Sequence, residues 1–230
     1  MNKERATIMR LLQFTDSAFP IGTFSFSNGL ETASYEGLVT NADSLEDYIR
    51  CISRQAAFSD GIACLHAFRS ILKNDYEAIL EADKQLIRFK MNEESRLMLT
   101  RMGKKMTELC IHFIDAPLLN RWLTDIQNGL TPGCYPIAQG IIFALCGLTE
   151  EELFLSHQYG VINMVLSASL RCIKVSHYDT QKILFNMNVE SENLFNEVKL
   201  LEMEDMNAFV PQIDILSSLH EKGKMRMFMN

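Results

Sequence analysis

The feature that most constrains this chain is the period of its apolar residues. From Ser44 onward, Leu45, Tyr48, Ile49, Ile52 and Ala56 recur at i, i+3, i+4 and i+7 spacing, which gathers side chains on one face of an α-helix. Ser44 and Asp47 form a capping pair at its start. Asp75 can cap a second helix carrying Tyr76, Ile79, Leu80 and Ile87. A third runs from about Glu93, with Met98, Met102, Met106, Leu109 and Phe113 in line. Thr149 and Glu152 make a capping box ahead of an apolar segment from Leu153 to Cys172, and Leu194, Val198 and Leu201 stripe a later helix. The longest alternating run, 23–27, is too short to found a sheet, and 11 Gly and 5 Pro supply few turns for a many-stranded fold. The expectation is all-α: a single compact helical domain of about eight to ten helices over 1–222, followed by a basic, Met-rich tail at 223–230.

Breaks are expected at DSAFPIG (16–22), at 131–133 and at 176–179. Gly133, Gly140 and Gly147 lie seven apart. Since helix interiors usually avoid glycine, two of the three are expected to admit a neighbouring helix at close range.

Several function classes are disfavoured at this level. A net charge of −7, from 22 Lys and Arg against 29 Asp and Glu, opposes nucleic-acid binding, which needs clustered cations. The longest apolar run, Ile141–Cys146, is far short of a membrane span, and the N-terminus lacks the pattern of a signal peptide. A cytoplasmic protein is expected, with six reduced and mostly buried cysteines, none in a C-x-x-C pair.

No catalytic set stands out. The loop from Gly22 to Gly29 lacks the Lys of a phosphate-binding loop, and Ser25 sits where a nucleophile elbow needs glycine. Asn28 followed by Glu31 reads as a helix start. Cys64 with His66, and Cys110 with His112, are two residues apart and face different sides of a helix. No ligand spacing supports a resident metal, so no cofactor and no metal are expected.

Two segments break local rules. One is the loop 19–26, with Phe19, Pro20, Gly22, Phe24, Ser25 and Phe26. Loops are normally polar, so its aromatics either fold onto the core or anchor a partner. The other is the C-terminus. Residues 222–230 carry Lys222, Lys224 and Arg226 with no acid, giving +3 and leaving −10 on the rest of the chain. Such a tail is either frayed or ordered on a partner, with Met227 and Phe228 as anchors and Arg226 as a charged contact; in the free chain it is expected to be unordered. The acidic segment 190–205, net −5, is a solvated helix face or an attractor for a basic partner.

These segments carry a resemblance. LLQFTDSAFPIGTFSFSNGLE (11–31) resembles the N-terminal signature of the urease accessory protein F family. Segments 95–103, 135–140, 163–171 and 181–182 also fit. The end, His220-Glu221 followed by RMFMN (226–230), resembles the family's closing pattern. Thr23, Met227 and Asn230 depart mildly from it. The resemblance implies a non-enzymatic, all-α, dimeric scaffold for urease maturation. It would bind an accessory protein of the D or H type, recruit the nickel-carrying GTPase G, and serve nickel insertion into apo-urease, with nickel handled by the assembly and not bound stably by this chain. The partner-binding residues would be Phe19, Pro20, Gly22, Phe24, Ser25, Phe26, Ser27, Glu31, His220, Arg226, Met227 and Phe228. Two other classes stay open: a regulator of the partner GTPase's hydrolysis, with Arg226 as its effector, and a helical hydrolase or metal-binding protein.

Overall fold

The computed structural model describes residues 3–207, 210–221, 223 and 226–228, with side chains from residue 5. Every regular element among them is helical: α1 (Lys3–Thr15), α2 (Leu30–Tyr35), α3 (Ala42–Ala56), α4 (Ile62–Leu72), α5 (Tyr76–Arg88), α6 (Glu93–Cys110), α7 (Pro117–Gln127), α8 (Tyr135–Leu145), α9 (Glu150–Cys172), α10 (His177–Val198) and α11 (Pro211–Glu221). A π turn (Ala57–Gly61) joins α3 to α4 without a break, and short 3₁₀ turns lie at Thr23–Ser25 and Met203–Asp205. Among the described residues that makes ten separate rods, as the apolar period requires.

Side chains set the helix boundaries. Asn41 and Ser44 cap α3 reciprocally, so the helix begins two residues before the Ser44–Asp47 pairing expected from sequence. Asp75 and Asn92 cap α5 and α6, and the Thr149–Glu152 box opens α9 as anticipated. Asn28 does not cap α2. It takes a left-handed backbone (φ 52°), and Gly29 (φ 79°) becomes the N-cap.

The helix α8, YPIAQGIIFAL, contains no charged residue and is almost wholly buried, which places it at the centre of the bundle. It packs against α4, α6 and α9. One apolar cluster surrounds it, with Trp122, Phe143 and Phe154 fully buried. A second cluster gathers α2, α3, the C-terminal half of α9, α10 and α11. The 23-residue α9 runs through both, a length of about 35 Å.

Of the three glycines spaced by seven, one performs the expected close approach. A Cβ on Gly140 would lie 2.5 Å from the Cys64 carbonyl oxygen of α4. Gly133 and Gly147 instead adopt φ +78° and +73° as turn residues. The second close approach belongs to Gly103 of α6, which lies against the Gly133 carbonyl. Buried Asp83 fixes that loop, accepting from Thr131 Oγ1 (2.5 Å), Gly133 N (2.7 Å) and Cys134 N (2.8 Å).

The acidic 190–205 segment is partly absorbed by the chain itself. Glu190 receives Arg50 and Glu197 receives Arg54, both from α3.

Candidate functional site

The site is assembled where α2, α6 and α11 meet the chain end. Successive left-handed residues, Asn28 and Gly29, turn the aromatic loop into α2. A Cβ on Gly29 would stand 3.0 Å from Ser217 Oγ of α11 and 3.1 Å from Tyr48 Oη of α3, so glycine lets α2 approach both. Tyr48 Oη donates to the Asn28 carbonyl at 2.7 Å and pins the turn. Glu31, in the first turn of α2, is thereby presented to the last turn of α11.

There it meets His220, which is buried. The His220 Nε2 lies 2.9 Å from Glu31 Oε2, and its Nδ1 lies 3.0 Å from both carboxylate oxygens of Glu94, near the start of α6. Each ring nitrogen therefore faces a carboxylate oxygen that can accept from it. Glu221, the next residue, accepts from the Glu94 backbone N–H at 3.0 Å.

The chain end closes over this pair of carboxylates. The Gly223 N–H donates to the His220 carbonyl (2.9 Å). Arg226 Nη1 donates to Glu94 Oε1 at 3.1 Å. The backbone N–H groups of Met227 and Phe228 donate to Glu31 Oε1 and Oε2 at 2.7 and 3.1 Å.

Electrostatics follow from these partners. Burial alone would push the Glu31 carboxyl up, but the Met227 N–H, the His220 ring and the Phe228 N–H together hold it below its ordinary value. Glu94 is the opposite case: burial raises it, and His220 and Arg226 offset only part of the rise.

Phe228 is 5% exposed and belongs to the second apolar cluster. The Arg171 guanidinium lies 4.2 Å from its ring centroid, and Arg171 Nη2 donates to the Phe24 carbonyl at 3.0 Å. Arg171 thus ties the chain end to the aromatic loop. The unordered free tail expected from sequence is replaced, at residues 226–228, by docking on the body, because Glu31 supplies acceptors for two backbone N–H groups and the second cluster buries the ring. Lys222, Lys224, Met225, Met229 and Asn230 lie outside the described residues.

Of the residues singled out in the sequence, Glu31, His220, Arg226, Met227 and Phe228 converge directly, and Phe24 joins through its backbone. The Phe24 side chain is 67% exposed. Phe26 is core, and half-buried Phe19 meets Phe14 edge-on at 5.7 Å. Pro20 is exposed, Gly22 (φ 88°) turns the loop in open space, Ser25 is half-buried and Ser27 is buried. Sequence reasoning missed Glu94, which lies beside the expected helix start at Glu93 and drew no notice, and gave Arg171 no role of its own. Among the described residues no group of three or more His, Cys, Asp or Glu is arranged to hold a metal ion, and no helix is long and apolar enough to cross a membrane.

The described residues form an all-helical body that binds its own chain end, through Arg226, Met227 and Phe228, beside an exposed aromatic. Comparison with known proteins gives the family. The sequence model of the UreF family matches residues 39–188. The urease accessory protein UreF of Yersinia enterocolitica serotype O:8 is 40% identical over 223 residues, covering 97% of this chain and 98% of that protein. The UreF proteins of Yersinia pseudotuberculosis serotype IB and Yersinia pestis strain Pestoides F match at the same identity and coverage. The chain belongs to the UreF family of urease accessory proteins, which act in urease maturation.

Proposed function

We propose that this protein is a non-enzymatic, homodimeric scaffold of urease maturation, which binds a D- or H-type accessory protein and recruits the nickel-carrying GTPase to deliver nickel to apo-urease. The observation that carries the reading is the Arg171 bridge between Phe24 and Phe228. It puts the exposed aromatic of the loop and the basic chain end on one continuous surface, and exposed aromatics beside arginines are the usual anchors of protein interfaces. Phe24, Arg226 and Met227 are the contact residues on this surface. Phe19, Phe26 and Phe228 support it from beneath, and Pro20, Gly22, Ser25 and Ser27 shape the loop.

The test is pull-down of the D/H-type partner and the GTPase with Arg226→Ala, Phe24→Ala and a chain ending after Gly223. Loss of GTPase recruitment with the body still folded supports the reading. Full assembly and full urease activation by all three overturn the assignment of this surface.

A role in setting the rate of GTP hydrolysis would require Arg226 to leave Glu94, since the side chain is engaged at 3.1 Å. An arginine finger accelerates hydrolysis about a thousandfold or more. Single-turnover hydrolysis with and without this protein decides it, and an unchanged rate rejects that role.

A further inference from the structure

The chain end is held the way a bound peptide is held, by contacts that a covalent link to the body does not require. Glu31 offers one carboxylate oxygen to the Met227 N–H and the other to the Phe228 N–H, at 2.7 and 3.1 Å. A carboxylate that spans two consecutive backbone donors grips the main chain of any residue except proline, which has no N–H. The flanking side chains are read individually. Phe228 is buried in an apolar cluster, with the Arg171 guanidinium 4.2 Å from its ring centroid. Arg226 Nη1 reaches Glu94 Oε1 at 3.1 Å. Met227, between them, is 57% exposed, so its side chain is left unread. The cradle therefore selects arginine, any residue but proline, then an aromatic.

The resident segment is lightly rooted. Among the described residues of the end, Phe228 supplies the buried ring, while Arg226 keeps 41% of its side chain exposed. One ring and a few part-exposed hydrogen bonds leave an open minor population, and a ligand that binds the open form draws the equilibrium toward it. The cradle also adjoins the exposed Phe24, because Arg171 touches both the Phe228 ring and the Phe24 carbonyl.

We propose that this cradle is a recognition site for an Arg-x-aromatic segment of a partner protein, and that the chain's own Arg226-Met227-Phe228 is a resident stand-in which that segment displaces. The demands on the partner are chemical: a guanidinium for Glu94, two consecutive backbone N–H groups for Glu31, and a ring for the pocket under Arg171. Displacement releases Arg226 from Glu94, so the chain end becomes a latch that the partner opens. The inference rests on the scaffold reading for the existence of a partner.

The test uses a fluorescent peptide with the sequence of residues 224–230, titrated by anisotropy into full-length Phe228→Ala and into the unmodified chain. Saturable binding to the variant is expected, weaker by about tenfold or more for the unmodified chain, whose own end competes at millimolar effective concentration. Met227→Pro and Phe228→Ala versions of the peptide should each bind the variant about tenfold or more weakly, having lost one charge-assisted hydrogen bond or the buried ring. Should the variant unfold, the unmodified chain gives a second readout: millimolar peptide should speed amide exchange at its Met227 and Phe228. No binding, equal binding to both chains, indifference to the proline or alanine peptide, or unchanged exchange each overturn the proposal. A concentration-dependent dimer of the unmodified chain that the peptide dissociates would assign the cradle to a second copy and overturn the partner assignment. No urease partner enters this assay, so its failure is distinct from a failure of GTPase recruitment.

Discussion

Glu31 and His220 stand 189 residues apart in sequence, and their side chains meet at 2.9 Å. That contact decides where the chain end lies, because the same carboxylate accepts the backbone N–H groups of Met227 and Phe228. Glu31→Gln keeps the shape but removes the charge and turns one oxygen into a donor. Amide exchange at Met227 and Phe228 should speed by about tenfold, the loss of one charge-assisted hydrogen bond. Unchanged exchange would show that the carboxylate does not hold the end.

The same contact has a pH dependence with a fixed sign. Glu31 is depressed below its ordinary value of 4.5, so its stabilisation is complete above that value and is lost as pH falls through the lower, folded value. Glu94 is raised and contributes in the opposite sense, favouring the fold at low pH and losing that contribution as pH rises through its folded value. Docking of the chain end, followed by nuclear magnetic resonance of the Phe228 ring, should therefore persist to below pH 4.5 in the unmodified protein.

Phe228→Ala should release the end and leave the body folded. The ring is the only part of the described chain end within an apolar cluster, and its burial contributes about 2–3 kcal/mol to docking. Limited proteolysis should trim the C-terminus of the variant faster, with the thermal midpoint of the body little changed. A large fall in that midpoint would place Phe228 in the folding core instead.

Two glycines should respond in opposite directions. Gly140→Ala drives a methyl against the Cys64 carbonyl, where α4 and α8 touch, and should cost about 1–3 kcal/mol. Gly160, inside α9, has nothing within 4 Å of a Cβ. Gly160→Ala should stabilise by about 0.5–1 kcal/mol through helix propensity. Denaturant titration of both variants measures the contrast.

His157 gives the interior its own acid sensitivity. Burial, partly offset by Asp60, pushes its imidazole down to about 4 from an ordinary 6.5. A depressed histidine stabilises fully above its unfolded value and loses that contribution as pH falls toward the folded one. Stability should therefore drop by about 3 kcal/mol between pH 6.5 and 4, and His157→Gln should flatten that slope.

Local chemistry is where the sequence was most legible. Apolar period and capping residues located α5, α6 and α9 to within a few residues, because those signals act over one or two turns. The aromatic loop and the closing His-Glu and Arg-Met-Phe pattern marked the right segments. Their meeting was hidden. Nothing in the spacing of Glu31, Glu94 and His220 reveals that three separate helices bring them together. The same holds for Gly103, whose neighbour Gly133 lies thirty residues on. Asn28 misled in a different way: its capping preference competes with its tolerance of a left-handed backbone, and packing against α11 selected the latter.

The π turn at Ala57–Gly61 has a consequence for the geometry of the whole bundle. It joins α3, which buries Leu45, Ile49 and Ile52 in one cluster, to α4, which buries Ile62, Leu65 and Phe68 in the other. One extra residue in a helical turn rotates everything downstream by about 100°. That phase shift lets a single uninterrupted rod aim its two halves at different cores. Deleting one residue there would leave the helix intact while pointing the apolar stripe of α4 away from α8, so the length of this turn is as much a part of the fold's code as any side chain in it.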